Sequence, residues 1–219
     1  TDEVADLQQV AGAVAEGCFY NNGQSCCAVE RVYVHEKIYD QFIKYLEAET
    51  NKLKVGNPLD KSNQQGAITR PAHLEFLQEQ IADATKQGAH VLCGGKPVNT
   101  TGSFFLPTVL TNVNHQMRVM TEESFGPIIG VQKVISDADA IALMNDCEYG
   151  LTASVYSSNI DRAKRILEQV DAGTAYINCC DRVSAYLPWA GRKNSGLGAT
   201  LSYLGILAFT KPRGWHIRA

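Results

Sequence analysis

Apolar positions along the chain follow two alternating spacings, one helical and one extended. Residues three or four positions apart predict amphipathic helices at 3–22, 38–53, 72–87, 137–145 and 161–170. Compact apolar or alternating runs predict strands at 29–35, 90–93, 104–110, 127–134, 152–156 and 174–178. Because strands and helices alternate, the pattern predicts an α/β fold with a twisted, mostly parallel sheet flanked by helices.

The two ends of the chain depart from this alternation. Asp2 is the predicted N-cap of the first helix. Beyond Cys180 the sequence becomes irregular and glycine-rich, and it closes on a short tail predicted to be extended.

Composition narrows the function classes. The chain has 219 residues, a net charge of −3 and 45% hydrophobic residues, which is typical of a globular protein without a nucleic-acid or membrane partner. Its seven cysteines are odd in number and contain no C-x-x-C spacing, so neither a disulfide framework nor a metal site is predicted. These features favour a reducing compartment, and we expect a cytoplasmic location.

The most informative segment is 23–26, which ends on Cys26 and is followed by Cys27. It joins the first predicted helix to the first predicted strand, where a thiol can lie in a cleft beside free backbone amides. Covalent acyl chemistry on sulfur requires such a position. The alternative is that these cysteines are small buried hydrophobes.

Two further segments carry polar residues at the ends of elements. Segment 121–127 contains Glu123, whose carboxylate can accept both hydroxyls of a ribose, and Phe125, which can pack on a nicotinamide ring. A solvated turn is the simpler interpretation of its paired carboxylates. Segment 188–198 is a glycine-rich loop that lacks the G-x-G-x-x-G pattern, so it does not predict phosphate binding.

Together the three segments resemble the aldehyde dehydrogenase superfamily. The family pattern F-x-N-x-G-Q-x-C-x-A-x-x-R is similar to residues 19–31, and E-E-x-F-G-P matches residues 122–127. The pattern P-F-G-G-x-K-x-S-G-x-G matches residues 188–198 except at Trp189 and Ala190. The linking segments 54–58, 107–110 and 149–154 also resemble the family sequence, so the resemblance covers essentially the whole chain.

The resemblance implies roles for individual residues. Cys26 corresponds to the catalytic nucleophile, Glu123 to the carboxylate that holds the nicotinamide-side ribose, and Phe125 to the aromatic beside the nicotinamide. It also implies an aldehyde substrate, NAD or NADP as cofactor, and a homo-oligomeric intact enzyme. Residues 1–210 would be the catalytic domain and 211–219 a C-terminal strand that serves oligomerisation.

The family's other half is not recognisable in this sequence. Neither the L-E-L-G-G motif with its water-activating glutamate nor the asparagine of the oxyanion hole occurs, and the first residue is Thr1. We therefore expect a catalytic domain without its dinucleotide-binding domain, which would bind most of the cofactor. Such a chain would be inactive as a dehydrogenase by itself.

Two other function classes stay open from the sequence. A cofactor-independent thiol esterase or acyl-transferase would use Cys26 with a base, but the five histidines lie outside the three segments. A non-catalytic assembly domain would use the tail 211–219 as an exposed edge.

Overall fold

The computed structural model describes residues 1–98, 101–180 and 182–219. Its main sheet has four strands in the order β1-β4-β3-β2. The strands are β1 Arg31–His35, β2 His90–Cys93, β3 Thr108–Thr111 and β4 Ile128–Val134. β4 runs parallel to both β1 and β3, whereas β2 is antiparallel to β3.

Two short strand pairs stand beside this sheet. β6 (Thr152–Val155) pairs in parallel with β7 (Thr174–Ile177), and β5 (Tyr149–Gly150) pairs antiparallel with β8 (Arg192–Lys193). The predicted α/β class and mostly parallel pairing are confirmed. The division into a main sheet and two-stranded sheets was not visible in the apolar pattern.

In the part of the chain that the structure describes, six α-helices accompany the strands. They are α1 Leu7–Phe19, α2 Glu36–Thr50, α3 His73–Lys86, α4 Asp137–Asn145, α5 Ile160–Leu167 and α6 Ser202–Leu207. The last of these lies in the segment predicted to be irregular, so that part of the prediction is wrong.

The predicted cap at Asp2 is also wrong. Asp6 is the N-cap of α1, and its carboxylate accepts a hydrogen bond from the N–H of Gln9. The Asp2 carboxylate instead binds Arg162 at 2.8 Å and Lys37 at 3.0 Å. An ionic partner far away in sequence has replaced the local capping role.

The core occupies both faces of the main sheet. Val109 and Ile129 pack with α1 and α2, whereas their neighbours Leu110 and Ile128 pack with α3. Adjacent residues of a strand point to opposite faces, so helices cover the sheet on both sides. This arrangement holds the loops that enter β1 and β4 against a rigid support.

The C-terminal end contrasts with this core. Residues 209–219 form neither helix nor strand within the chain, and Trp215 and Ile217 are 79% and 83% exposed. The strand predicted for residues 211–219 is therefore not formed here, and its role in assembly stays a prediction. No helix within the described residues has both the length and the apolar character needed to cross a bilayer.

Candidate active site

A left-handed turn brings the chain from α1 to the cysteine pair. Asn21, Asn22 and Gly23 have φ values of 51°, 57° and 66°, a region in which Asn and Gly are the least strained residues. A Cβ added at Gly23 would collide with the carbonyl of Gly126. This glycine therefore permits a close approach between the cysteine segment and segment 121–127.

The turn separates the two thiols. The N–H of Ala28 donates to the carbonyl of Ser25 at 3.1 Å, which closes a turn around Cys26 and Cys27. Cys26 is exposed, whereas Cys27 is 5% exposed and lies 3.3 Å from the Ser25 hydroxyl. Both residues line one cleft, and Cys26 has the more accessible thiol of the two.

The second predicted segment is a loop whose side chains alternate in exposure. Ser124 is fully buried, whereas Glu123 and Phe125 on either side are exposed. The neighbouring Glu122 accepts a bifurcated hydrogen bond from the Nε–H of Arg118, at 2.9 Å to Oε1 and 3.0 Å to Oε2. The paired carboxylates thus differ, because Glu122 is held in an ion pair while Glu123 faces outward.

Glu30 anchors the loop 121–127 through hydrogen bonds to its backbone, and the sequence did not indicate this role. Its carboxylate oxygens accept the N–H groups of Ser124 and Phe125, each at 3.0 Å. Burial raises the pKa of Glu30 to about 7, although the two N–H bonds act to lower it. The available signal was an acidic residue at the entrance to an apolar strand.

His73, the first residue of α3, is a second anchor of the same loop. Its Nε2 donates to the carbonyl of Ser124 at 2.8 Å. The ring also stacks on Phe76, with centroids 5.2 Å apart. Ser124 is therefore hydrogen-bonded through both its backbone N–H and its backbone C=O.

The third segment is fixed by the β5–β8 pair. Ser195 Oγ accepts the N–H of Gly150 at 2.9 Å, and Lys193 Nζ donates to the carbonyls of Asn145 and Cys147. The two departures from the family pattern lie just before this pair, and Trp189 exchanges two backbone hydrogen bonds with Thr200.

One cleft of about 440 Å³ receives residues from all three segments. Cys26, Glu123, Asn194 and Ser195 line it, as does Glu30. Phe125 is exposed on the same loop as Glu123 but does not line the cleft. The predicted nucleophile Cys26 and the predicted ribose-binding carboxylate Glu123 therefore line the same cleft, whereas Phe125 lies outside its lining.

Across residues 1–98, 101–180 and 182–219, no group of three or more His, Cys, Asp or Glu side chains is placed to hold a metal ion.

Comparison with known proteins agrees with the arrangement of the three segments. The model of the aldehyde dehydrogenase family matches residues 2–214. A putative aldehyde dehydrogenase-like protein of Schizosaccharomyces pombe is 38% identical over 97% of this chain and 42% of its own length. The succinate-semialdehyde dehydrogenase [NADP(+)] of Deinococcus radiodurans is 38% identical over 96% of this chain and 44% of its own length.

Solved structures give the same result. The crystal structure of betaine aldehyde dehydrogenase from Staphylococcus aureus in complex with NAD+ superposes with a TM-score of 0.91 at 32% identity. The alignment covers 95% of this chain and 42% of that protein, so the chain spans less than half the length of its relatives. The family match over nearly the whole chain and the shared fold lead to one conclusion: the chain belongs to the aldehyde dehydrogenase family.

Proposed function

We propose that this chain is the nucleophile-bearing part of an NAD(P)-dependent aldehyde dehydrogenase, which oxidises an aldehyde to a carboxylic acid. The observation that carries the proposal is the placement of an exposed Cys26 on the same cleft as Glu123, while Cys27 is buried. Membership of the family supports the reaction class.

Cys26 begins the reaction as a thiolate. Its sulfur attacks the carbonyl carbon of the aldehyde, the C–S bond forms, and the carbonyl π electrons move to oxygen. The backbone N–H of Cys26 is suited to stabilise that oxygen, since removing one such donor typically slows a reaction by ~10²–10³. The tetrahedral carbon then carries a hydrogen that can leave as hydride.

The loop 121–127 fits the nicotinamide half of the cofactor. The Glu123 carboxylate is exposed on the cleft and can accept both hydroxyls of a ribose, and the Phe125 ring is 38% exposed beside it. When bound, NAD(P)+ supplies the hydride acceptor, and Cys26 is left carrying a thioester. Glu123 and Phe125 serve to hold and orient the cofactor.

The relatives leave the choice of cofactor open. The Deinococcus enzyme is named for NADP+ and the Staphylococcus structure contains NAD+. The specific aldehyde is equally open, because Trp189 and Ala190 depart from the family pattern in segment 188–198.

Acylation by an activated ester tests the nucleophile without any cofactor. We expect p-nitrophenyl acetate to add one acetyl group to the chain, with peptide mass spectrometry locating it on Cys26. The adduct should disappear in Cys26→Ser and persist in the matched control Cys27→Ser. An acetyl group that persists in Cys26→Ser would contradict the proposal, and sustained turnover would favour the thiol esterase alternative.

Cofactor-dependent turnover tests whether the chain is sufficient by itself. We expect no sustained NAD(P)H formation when it is mixed with NAD(P)+ and a panel of aldehydes. The base that activates water in this family belongs to a motif that the sequence does not contain. Sustained aldehyde-dependent absorbance at the NAD(P)H wavelength would show that the chain is catalytically complete.

We also propose that residues 211–219 serve assembly. These residues expose two large apolar side chains, Trp215 at 79% and Ile217 at 83%. Exposed apolar surface of this kind marks an interaction site. Light scattering should show a larger mass for the full chain than for a chain ending at residue 210; equal masses would contradict the proposal.

A further inference from the structure

Glu30 is a half-buried acid that lines the cleft and has no role in the proposed covalent step. It lies four residues after Cys26 and directly before β1, and its side chain faces the loop that carries Glu123 and Phe125. One short stretch of chain therefore contains both the proposed nucleophile and a contact with the proposed cofactor loop.

The contact uses both oxygens of one carboxylate. Oε2 accepts the N–H of Ser124 and Oε1 accepts the N–H of Phe125, each at 3.0 Å. Because both donate to one carboxylate, the N–H groups of these two consecutive residues point to the same side of the loop. Two consecutive backbone N–H groups on one side form a concave anion site, which the carboxylate of Glu30 fills.

The surrounding groups complete the support. His73 donates to the carbonyl of Ser124 at 2.8 Å, and Gly23 lies against the carbonyl of Gly126. With Ser124 buried, the side chains of Glu123 and Phe125 are directed outward. The loop conformation depends on contacts from the cysteine segment and from α3.

We infer that Glu30 is a positioning residue that fixes the cofactor loop relative to Cys26. Its two carboxylate oxygens bond the backbone of the loop, so it acts through the conformation of residues 123–125. The inference rests on the proposed function, because it takes Glu123 and Phe125 as the groups that hold the cofactor.

Both side-chain oxygens of Glu30 act as acceptors only in the ionised carboxylate, which prevails above its pKa of about 7. An amide in its place has one acceptor oxygen and one NH₂ group, so Glu30→Gln would set a donor against one of the two backbone N–H groups. Hydrogen bonds to a charged acceptor are also stronger than those to a neutral one. The shorter side chain of Glu30→Asp keeps the charge and both acceptors but reduces the reach.

Amide NMR of the complete chain tests the inference directly. In the wild type, we expect the N–H protons of Ser124 and Phe125 to shift together over a pH titration, with a single shared midpoint. In Glu30→Gln that shared titration should vanish, and hydrogen exchange at both amides should accelerate by ~10-fold or more. Glu30→Asp should restore part of the protection, and the exposed control Glu36→Gln should leave both amides unchanged.

Other titrating groups near the loop need their own variants. Glu123 and Cys18 interact electrostatically with Glu30, and His73 bonds to Ser124. The shared midpoint should persist in Glu123→Gln, Cys18→Ala and His73→Asn. A midpoint that disappears in one of these variants but survives in Glu30→Gln would overturn the inference.

The wild-type titration decides the question even if Glu30→Gln fails to fold. Two amides that do not move together, or that do not respond to pH, overturn the role of Glu30. The outcome is separable from the proposed function, because acetylation of Cys26 tests the nucleophile in a different assay. Amides that track Glu30 in a chain whose Cys26 is not acetylated would leave the positioning contact intact and remove the proposed reaction.

Discussion

Two regions of the molecule differ in how far their side chains are buried by the rest of the chain. The anchored loops, residues 20–30 and 121–127, are held by buried groups such as Asn22 at 3% and Ser124 at 0% exposure. Their contacts join residues far apart in sequence. The C-terminal segment, residues 182–219, exposes most of its large apolar side chains, among them Tyr186 at 91%, Leu197 at 101%, Tyr203 at 71% and Phe209 at 94%.

This difference shows which region of the molecule has a conformation fixed by contacts within the chain itself. The anchored loops are preorganised, because glycine contacts, the Glu30 carboxylate and the His73 ring fix their backbone. The C-terminal segment has apolar surface that a folded protein normally covers. We therefore expect perturbations to be costly in the first region and mild in the second.

Two phenylalanines provide the widest contrast in stability. Phe19 ends α1 with no exposed surface, and Phe209 is 94% exposed. Phe19→Ala leaves a cavity under the cysteine segment and should lower the free energy of unfolding by about 3–5 kcal/mol. Phe209→Ala should change it by less than about 0.5 kcal/mol. Urea unfolding followed by circular dichroism measures both, and equal losses would refute the contrast.

Two glycines with left-handed backbone conformations give a second test of the contrast between the two regions. Gly23 has a φ of 66° and lies against the Gly126 carbonyl, whereas Gly198 has a φ of 77° and open space around it. Alanine costs roughly 1–2 kcal/mol at either position because of the left-handed conformation. Gly23→Ala adds a collision with backbone, so its total should reach about 3 kcal/mol or more. If the two variants unfold at the same urea concentration, the close approach of the two loops is not important for stability.

The burial of Glu30 predicts a pH dependence of stability. Its pKa is raised from 4.5 to about 7 by burial, so the folded chain keeps a proton that the unfolded chain has lost between those values. Stability from this group is complete below pH 4.5 and is lost as the pH rises to about 7, a fall of about 3 kcal/mol. The difference in unfolding free energy between the wild type and Glu30→Gln should therefore decline over that range.

The control for this prediction is an exposed acid. The difference between the wild type and Glu36→Gln should stay constant over the same pH range, since Glu36 is exposed. A flat wild-type minus Glu30→Gln difference would mean that the carboxylate is hydrated in the folded protein.

The sequence predicted the elements whose signals are local. Helical spacing located α2 and α3, and the apolar run at 127–134 located β4. It placed the start of α1 too early, because the favourable site for Asp2 is a long-range ion pair with Arg162. It missed α6, because the segment around Ser202–Leu207 lacks a buried face that would produce a periodic pattern.

The candidate site shows the same limit. Cys26, Glu123 and Phe125 could be predicted because each lies within a contiguous motif. The partnership of Glu30 with Ser124 joins residues 94 positions apart, and no local pattern encodes it. The structure supplies this contact because β1 and β4 are adjacent strands, which brings the segments before them together.

Removal of the tail is the change with the smallest expected effect on the single chain. Residues 211–219 form no helix or strand and are exposed throughout. A chain ending at residue 210 should therefore unfold within about 0.5 kcal/mol of the full chain when both are measured as monomers at low concentration. Circular dichroism is the suitable probe, because the deletion removes Trp215 and alters fluorescence. A loss of more than about 1 kcal/mol in the monomer would mean that the tail packs on its own chain, and the contrast between the two regions would then fail.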